Sequence, residues 1–306
     1  MDSKSPTNYL LGLLLAGVCT ATTDAQAQPA PDRLRIGIYA PSVEFGTAQA
    51  RLAYVQGLAK AIEQNTGTKT DAQSYASLAA LRTDAVDYAI IDGPCYAVNL
   101  SAWKLVANAN IGGSTSRTWA LYSSAGDTMQ ALRGKKLAFV AAGCNDSAFV
   151  DNAMLESELD SQFFAARIGE KDLTGAIAAV SSYKAAQAVF APSGSVTGLT
   201  KLFDTASVPN PAFVVVGAKI PAALAEKVAA AVIGYSAAGP ISSWSSPSRE
   251  PFISLGNRLN RAFKVPVFAT PESVRLAARD LLIEPTTLKE SATVPVRHDF
   301  VHTRPE

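Results

Sequence analysis

Hydrophobic positions recur along the chain with two periods in alternation. Residues 34–40 (LRIGIYA) interleave branched and small side chains, as a core strand does. Within 47–65, Leu52, Val55, Leu58, Ala59 and Ile62 fall at helical spacing, and Gly67 follows as a helix-closing residue. Strands are predicted over 69–75, 86–92 (VDYAIID) and 102–111, with a short helix over 77–82. The rhythm then repeats as strand 136–142 (KLAFVAA), helix 147–157, strand 164–169, helix 173–184 and strand 187–191. Residues 118–123 (TWALYS) and 213–217 (FVVVG) flank this second copy.

Strand–helix alternation of this kind predicts an α/β fold, each unit a mainly parallel sheet flanked by helices. Two units joined by two strands make two lobes with a hinge. Lobe one is expected over 32–118 and 218–306, lobe two over 124–212, with 118–123 and 213–217 as the crossing strands. A further helix is expected over 271–282, with Thr270 as its N-cap and Pro271 in its first turn.

The N-terminal segment reads as an address. Lys4 precedes a ten-residue apolar run, 9–18 (YLLGLLLAGV), followed by Ala25-Gln26-Ala27, small residues where a signal peptidase cuts. The run is too short for a membrane-spanning helix, which needs about 20 residues. Cleavage after Ala27 and a periplasmic location are expected. The rival is a lipid anchor at Cys19, for which Val18 is a poor preceding residue.

Charge narrows the function classes. Lys+Arg number 27 against 26 Asp+Glu, a formal net charge of +1, which offers no bulk field for nucleic acid. No zinc-type cysteine spacing, Walker loop, G-x-G-x-x-G or G-x-S-x-G occurs. The two histidines, His298 and His302, flank Asp299 near the C-terminus and read as a solvated tail rather than a metal site. No catalytic residue, metal or cofactor is expected, and the chain reads as a binder rather than an enzyme.

Several segments together resemble the periplasmic solute-binding proteins of phosphonate/phosphite/phosphate ABC transporters. Residues 34–40 resemble their first strand. Ala80-Leu81-Arg82, Val86-Asp87 and Gly93-Pro94-Cys95-Tyr96 resemble a signature reading roughly ALRxGxVD then GPxxY, and 134–139 (GKKLAF) resemble the strand opening the second lobe. The resemblance implies a type 2 periplasmic-binding-protein fold that closes on a hinge over a small ligand. The ligand would be delivered to a membrane permease; alternatively, the bound state would be sensed by a receptor kinase.

The likeness fails at one place. Phosphonate binders of this family carry an STSG-like turn whose hydroxyl and N–H groups cradle the anion. The matching stretch here is Cys144-Asn145-Asp146-Ser147. An ionised Asp146 only accepts hydrogen bonds and repels a phosphonate, which points instead to a neutral or apolar organic ligand. Asp146 also suits a plain helix N-cap. Cys95 and Cys144 both fall on loops the family turns toward its cleft. They read first as buried free thiols. A disulfide is permitted by the compartment but would lock the cleft, and paired thiolates would grip arsenite or a soft metal. Of the aromatic residues Tyr39, Phe45, Tyr75, Tyr96, Trp119 and Tyr122, the three at strand ends (Tyr39, Tyr75 and Tyr96) are the first candidates for ligand contact. The expected ligand-binding set is Tyr39, Ser42, Phe45, Tyr75, Asp92, Cys95, Tyr96, Cys144, Asn145, Asp146 and Ser147.

Overall fold

The computed structural model describes residues 31–261 except 161, 218 and 219. The expected signal segment, the helix over 271–282 and the histidine pair lie outside the described residues.

The first sheet forms around β1 (Arg33–Tyr39), which runs parallel to β2 (Lys69–Ser74) on one side and β3 (Tyr88–Ile91) on the other. Between β1 and β2 lies α1 (Ala48–Thr66), started by the Thr47 side chain accepting from the Ala50 N–H and closed by Gly67 at φ 73°. Its buried stripe is Tyr54, Val55, Leu58, Ala59 and Ile62, the spacing predicted from sequence with Leu52 left partly exposed. The short α2 (Leu78–Thr83) and α3 (Gly93–Ala97) flank β3, and β4 (Lys104–Asn110) follows.

The second sheet is entered by β5 (Ser116–Ser123). Its parallel part is β6 (Lys136–Val140) between β7 (Ala166–Glu170) and β8 (Ala188–Pro192). Between β6 and β7, α4 (Asp146–Ala148) runs straight into a π turn over Phe149–Met154. The helix expected over 147–157 therefore starts one residue early and stops short. Glu156 and Ser157 take φ values of 53° and 60°, which no helix continues through. The helix between β7 and β8 is α5 (Leu173–Ser181).

The chain returns along β9 (Thr200–Pro209), then β10 (Ala212–Val215), α6 (Ala222–Ile233), β11 (Ser243–Ser245) and α7 (Glu250–Leu259). Strand order is β11-β4-β10-β3-β1-β2 in the first sheet and β7-β6-β8-β5-β9 in the second. In each sheet three parallel strands lie at one end and the antiparallel strands at the other. The return strand expected at 213–217 is placed differently. β10 lies inside the first sheet, antiparallel to both β3 and β4, where Ala212, Phe213 and Val214 are buried between neighbours. The strand that accompanies β5 is β9, paired with it from Ser116↔Pro209 to Ser123↔Thr200. Its polar and apolar residues mix without a clean period and gave no strand signal in the sequence.

Candidate functional site

The candidate site lies where the lobes meet, at the C-terminal ends of β1, β3 and β6. Just past β3, Asp92 is 1% exposed. Its carboxylate accepts from the Ser42 N–H and the Ser42 hydroxyl, both at 2.7 Å. Burial raises its pKa above the usual carboxylate value, and the Ser42 bonds, the Arg117 charge and Gly93 oppose that rise. Arg117, on β5, anchors the same loop by donating to the Ser42 carbonyl, Glu44 and Asn210.

The second lobe contributes the turn after β6. Gly143 and Asn145 both take left-handed backbone there, at φ 68° and 62°. The Asp146 carboxylate folds back on this turn, accepting from the Gly143 N–H at 2.9 Å and the Cys144 N–H at 3.2 Å. It therefore does not cap its helix in the ordinary way. It occupies backbone donors that an incoming oxyanion would need.

The lobes touch directly. The Tyr39 hydroxyl donates to the Ala142 carbonyl at 2.8 Å, and the Leu173 N–H donates to the Pro41 carbonyl at 2.9 Å. Burial, reinforced by Asp92 and Asp146, raises the Tyr39 pKa and keeps it a donor. Ser42, Asp92, Pro94, Trp119, Val140, Ala142, Asp146 and Phe149 line a void of about 10 Å³, room for one water molecule at most. Trp119 and Phe149 meet edge to face, with centroids 5.9 Å apart. One apolar cluster runs without a break from Tyr39, Cys95 and Tyr96 across to Trp119, Cys144 and Phe149.

Cys95 and Cys144 form a disulfide between the lobes, with Cα atoms 5.0 Å apart. This corrects the expectation of free thiols. In the bridged state neither sulfur offers the thiolate that a grip on arsenite or a soft metal needs. The two cysteines are 0% and 4% exposed.

Of the expected residues, Ser42, Asp92 and Asp146 line the void, with Tyr39 and the two cysteines at its edge. The others sit elsewhere. Phe45 packs on Tyr54, on the far side of the first sheet. Tyr75 turns its hydroxyl to Asp84, because its ring fills the space beside Gly37. Tyr96 is fully buried, edge to face against Phe252 of α7. Asn145 and Ser147 are exposed on the outside of their turn. Phe149, Val140 and Ala142 were missed, since apolar residues after a strand look like any others until the lobes meet.

No family model and no curated protein sequence matches the chain. Solved structures do. PhnD1 from Prochlorococcus marinus, in complex with methylphosphonate, superposes with a TM-score of 0.58 at 11% identity, covering 75% of this chain and 98% of that one. XAC2383 from Xanthomonas citri, bound to chloride ion, gives 0.58 at 12% identity, over 75% and 98%. A binding protein component of an ABC phosphonate transporter from Pseudomonas aeruginosa gives 0.57 at 14%, over 73% and 84%. The chain has the two-lobed binding-protein fold. The junction just described lies between its two lobes. At this level of identity the likeness is one of fold, so the ligand has to be argued from the residues themselves.

Proposed function

We propose that the protein is a periplasmic solute-binding component that takes a small molecule between its lobes and hands it to an ABC-type permease. The two-lobed fold and the leader-like residues 1–27 support this reading. The ligand proposed is a small hydrogen-bond donor, uncharged or cationic, rather than a phosphonate. One observation carries that choice. Backbone donors on both sides of the cleft are already bonded to the chain's own carboxylates, Ser42 to Asp92, and Gly143 and Cys144 to Asp146. What the cleft offers an incoming group is carboxylate oxygen and the faces of Trp119 and Phe149. An oxyanion there would meet the Asp146 carboxylate in a site with little water, where repulsion is poorly screened. Amines and alcohols would meet acceptors and aromatic rings.

Isothermal calorimetry tests this, with small primary amines and alcohols against methylphosphonate and phosphate, using protein treated with a phosphine reductant. Binding is expected from the donor set. Tighter binding of methylphosphonate than of any donor would overturn the choice of ligand class.

A further inference from the structure

The bridge between Cys95 and Cys144 sits on the rim of the cleft. Cys95 follows Pro94, and Cys144 lies between Ala142 and Asp146; all three neighbours line the void. A disulfide tolerates Cα separations only up to about 7 Å. These Cα atoms are 5.0 Å apart, so rigid lobes can part here by roughly 2 Å before the bridge stops them. That is less than the breadth of a water molecule, about 2.8 Å. The remaining void admits one water. In the bridged protein the cleft is therefore closed to any solute.

We propose that the Cys95–Cys144 disulfide is a reversible lock on the cleft: the dithiol form opens and exchanges solute, and oxidation of the closed form seals it. The proposal rests on the reading of the cleft as the solute site. Closure itself brings the sulfurs within bonding reach, so sealing follows closing. In the sealing step two S–H bonds break and one S–S bond forms within the protein. Two electrons and two protons pass to an external disulfide oxidant, which becomes a dithiol. In the opening step the thiolate of an external dithiol attacks the sulfur of Cys144, and Cys95 leaves as a thiolate and takes up a proton. The second thiol of the reductant then resolves the mixed disulfide, releasing Cys144 and an oxidised reductant. Attack falls on Cys144 because it belongs to a turn with exposed Gly143 and Asn145. Cys95 is enclosed beneath α7, which packs against α3. The Asp146 carboxylate beside this turn repels an incoming thiolate, which keeps uncatalysed opening slow.

The test needs no known ligand. Oxidised protein, phosphine-reduced protein and a Cys95→Ser/Cys144→Ser variant are compared by hydrogen exchange and small-angle scattering. The reduced protein and the variant should exchange the Ser42 and Cys144-position amides at least about tenfold faster, with a larger radius of gyration. Equal protection and equal size in all three would overturn the lock. The reduced wild type keeps the test informative if the serine variant folds poorly. Opening without any calorimetric response to the amines, alcohols or methylphosphonate would support the lock and count against the solute-binding reading instead.

Discussion

Asp146 and Asp92 do similar work on opposite walls of the cleft, each neutralising backbone donors that would otherwise face a ligand. Replacing Asp146 with Ser removes the negative charge and frees the Gly143 and Cys144 N–H groups. Reduced Asp146→Ser protein should gain at least about tenfold in methylphosphonate affinity by calorimetry, the scale of one recovered charge-assisted hydrogen bond. Asp92 makes a prediction about pH. Its folded pKa is raised by burial, so the folded state holds the proton more tightly than the unfolded chain does. The resulting stability is fully present below the unfolded pKa of about 3.8 and is lost as pH rises through the folded value. Asp92→Asn should flatten that part of the stability–pH profile, measured by urea unfolding at a series of pH values. Sequence reasoning found both carboxylates, because Asp146 stands where a hydroxyl was expected and Asp92 ends a strand. It also admits the disulfide, since both cysteines fall on loops expected to face the cleft, but ranks free thiols first because a bridge would lock the lobes together; the positions are 49 apart in sequence.

At the level of elements, the lobes are held by close approaches that leave little sequence trace. Gly93 opens α3 against the hinge, where an added Cβ would lie 1.9 Å from the Pro209 carbonyl oxygen. Backbone on both sides leaves no route for relaxation. Gly93→Ala should therefore cost about 3 kcal/mol or more in chemical denaturation, at or beyond the usual range for overpacking. Helix α7 straps the lobes together from one side. Phe252 packs on Tyr96 of the first lobe, while Asn152 of the π turn donates to the carbonyls of Leu259 and Arg261 at the helix C-terminus. Asn152→Ala leaves those carbonyls to water and should cost about 1–2 kcal/mol. Helix α1 was legible because one face alone is buried, and the central parallel strands β3 and β8 because burial on both faces makes them short apolar runs. The π turn and β9 were not. The first depends on a register change inside a helix, and the second is held by pairing with β5 rather than by its own apolar pattern.

Among the described residues, the crossing strands β5 and β9, helix α7, direct hydrogen bonds, the continuous apolar cluster and the disulfide all join the lobes. The disulfide closes a loop spanning 49 residues, which by loop-closure entropy stabilises the native state by up to about 4 kcal/mol. Its effect on cooperativity is separate from that figure. A hinged protein whose lobes meet only at crossing strands can unfold lobe by lobe, whereas one core spanning both lobes unfolds as a unit. Oxidised protein should therefore melt in a single calorimetric transition, with van't Hoff and calorimetric enthalpies equal. After reduction the apolar contact across the cleft can part, and the two sheets keep separate cores around β1 and β6. The reduced protein should melt at lower temperature, with a van't Hoff enthalpy below the calorimetric one. A sharp single transition in both redox states would mean that the apolar contact alone holds the lobes together. Hinge opening would then cost the protein most of its core.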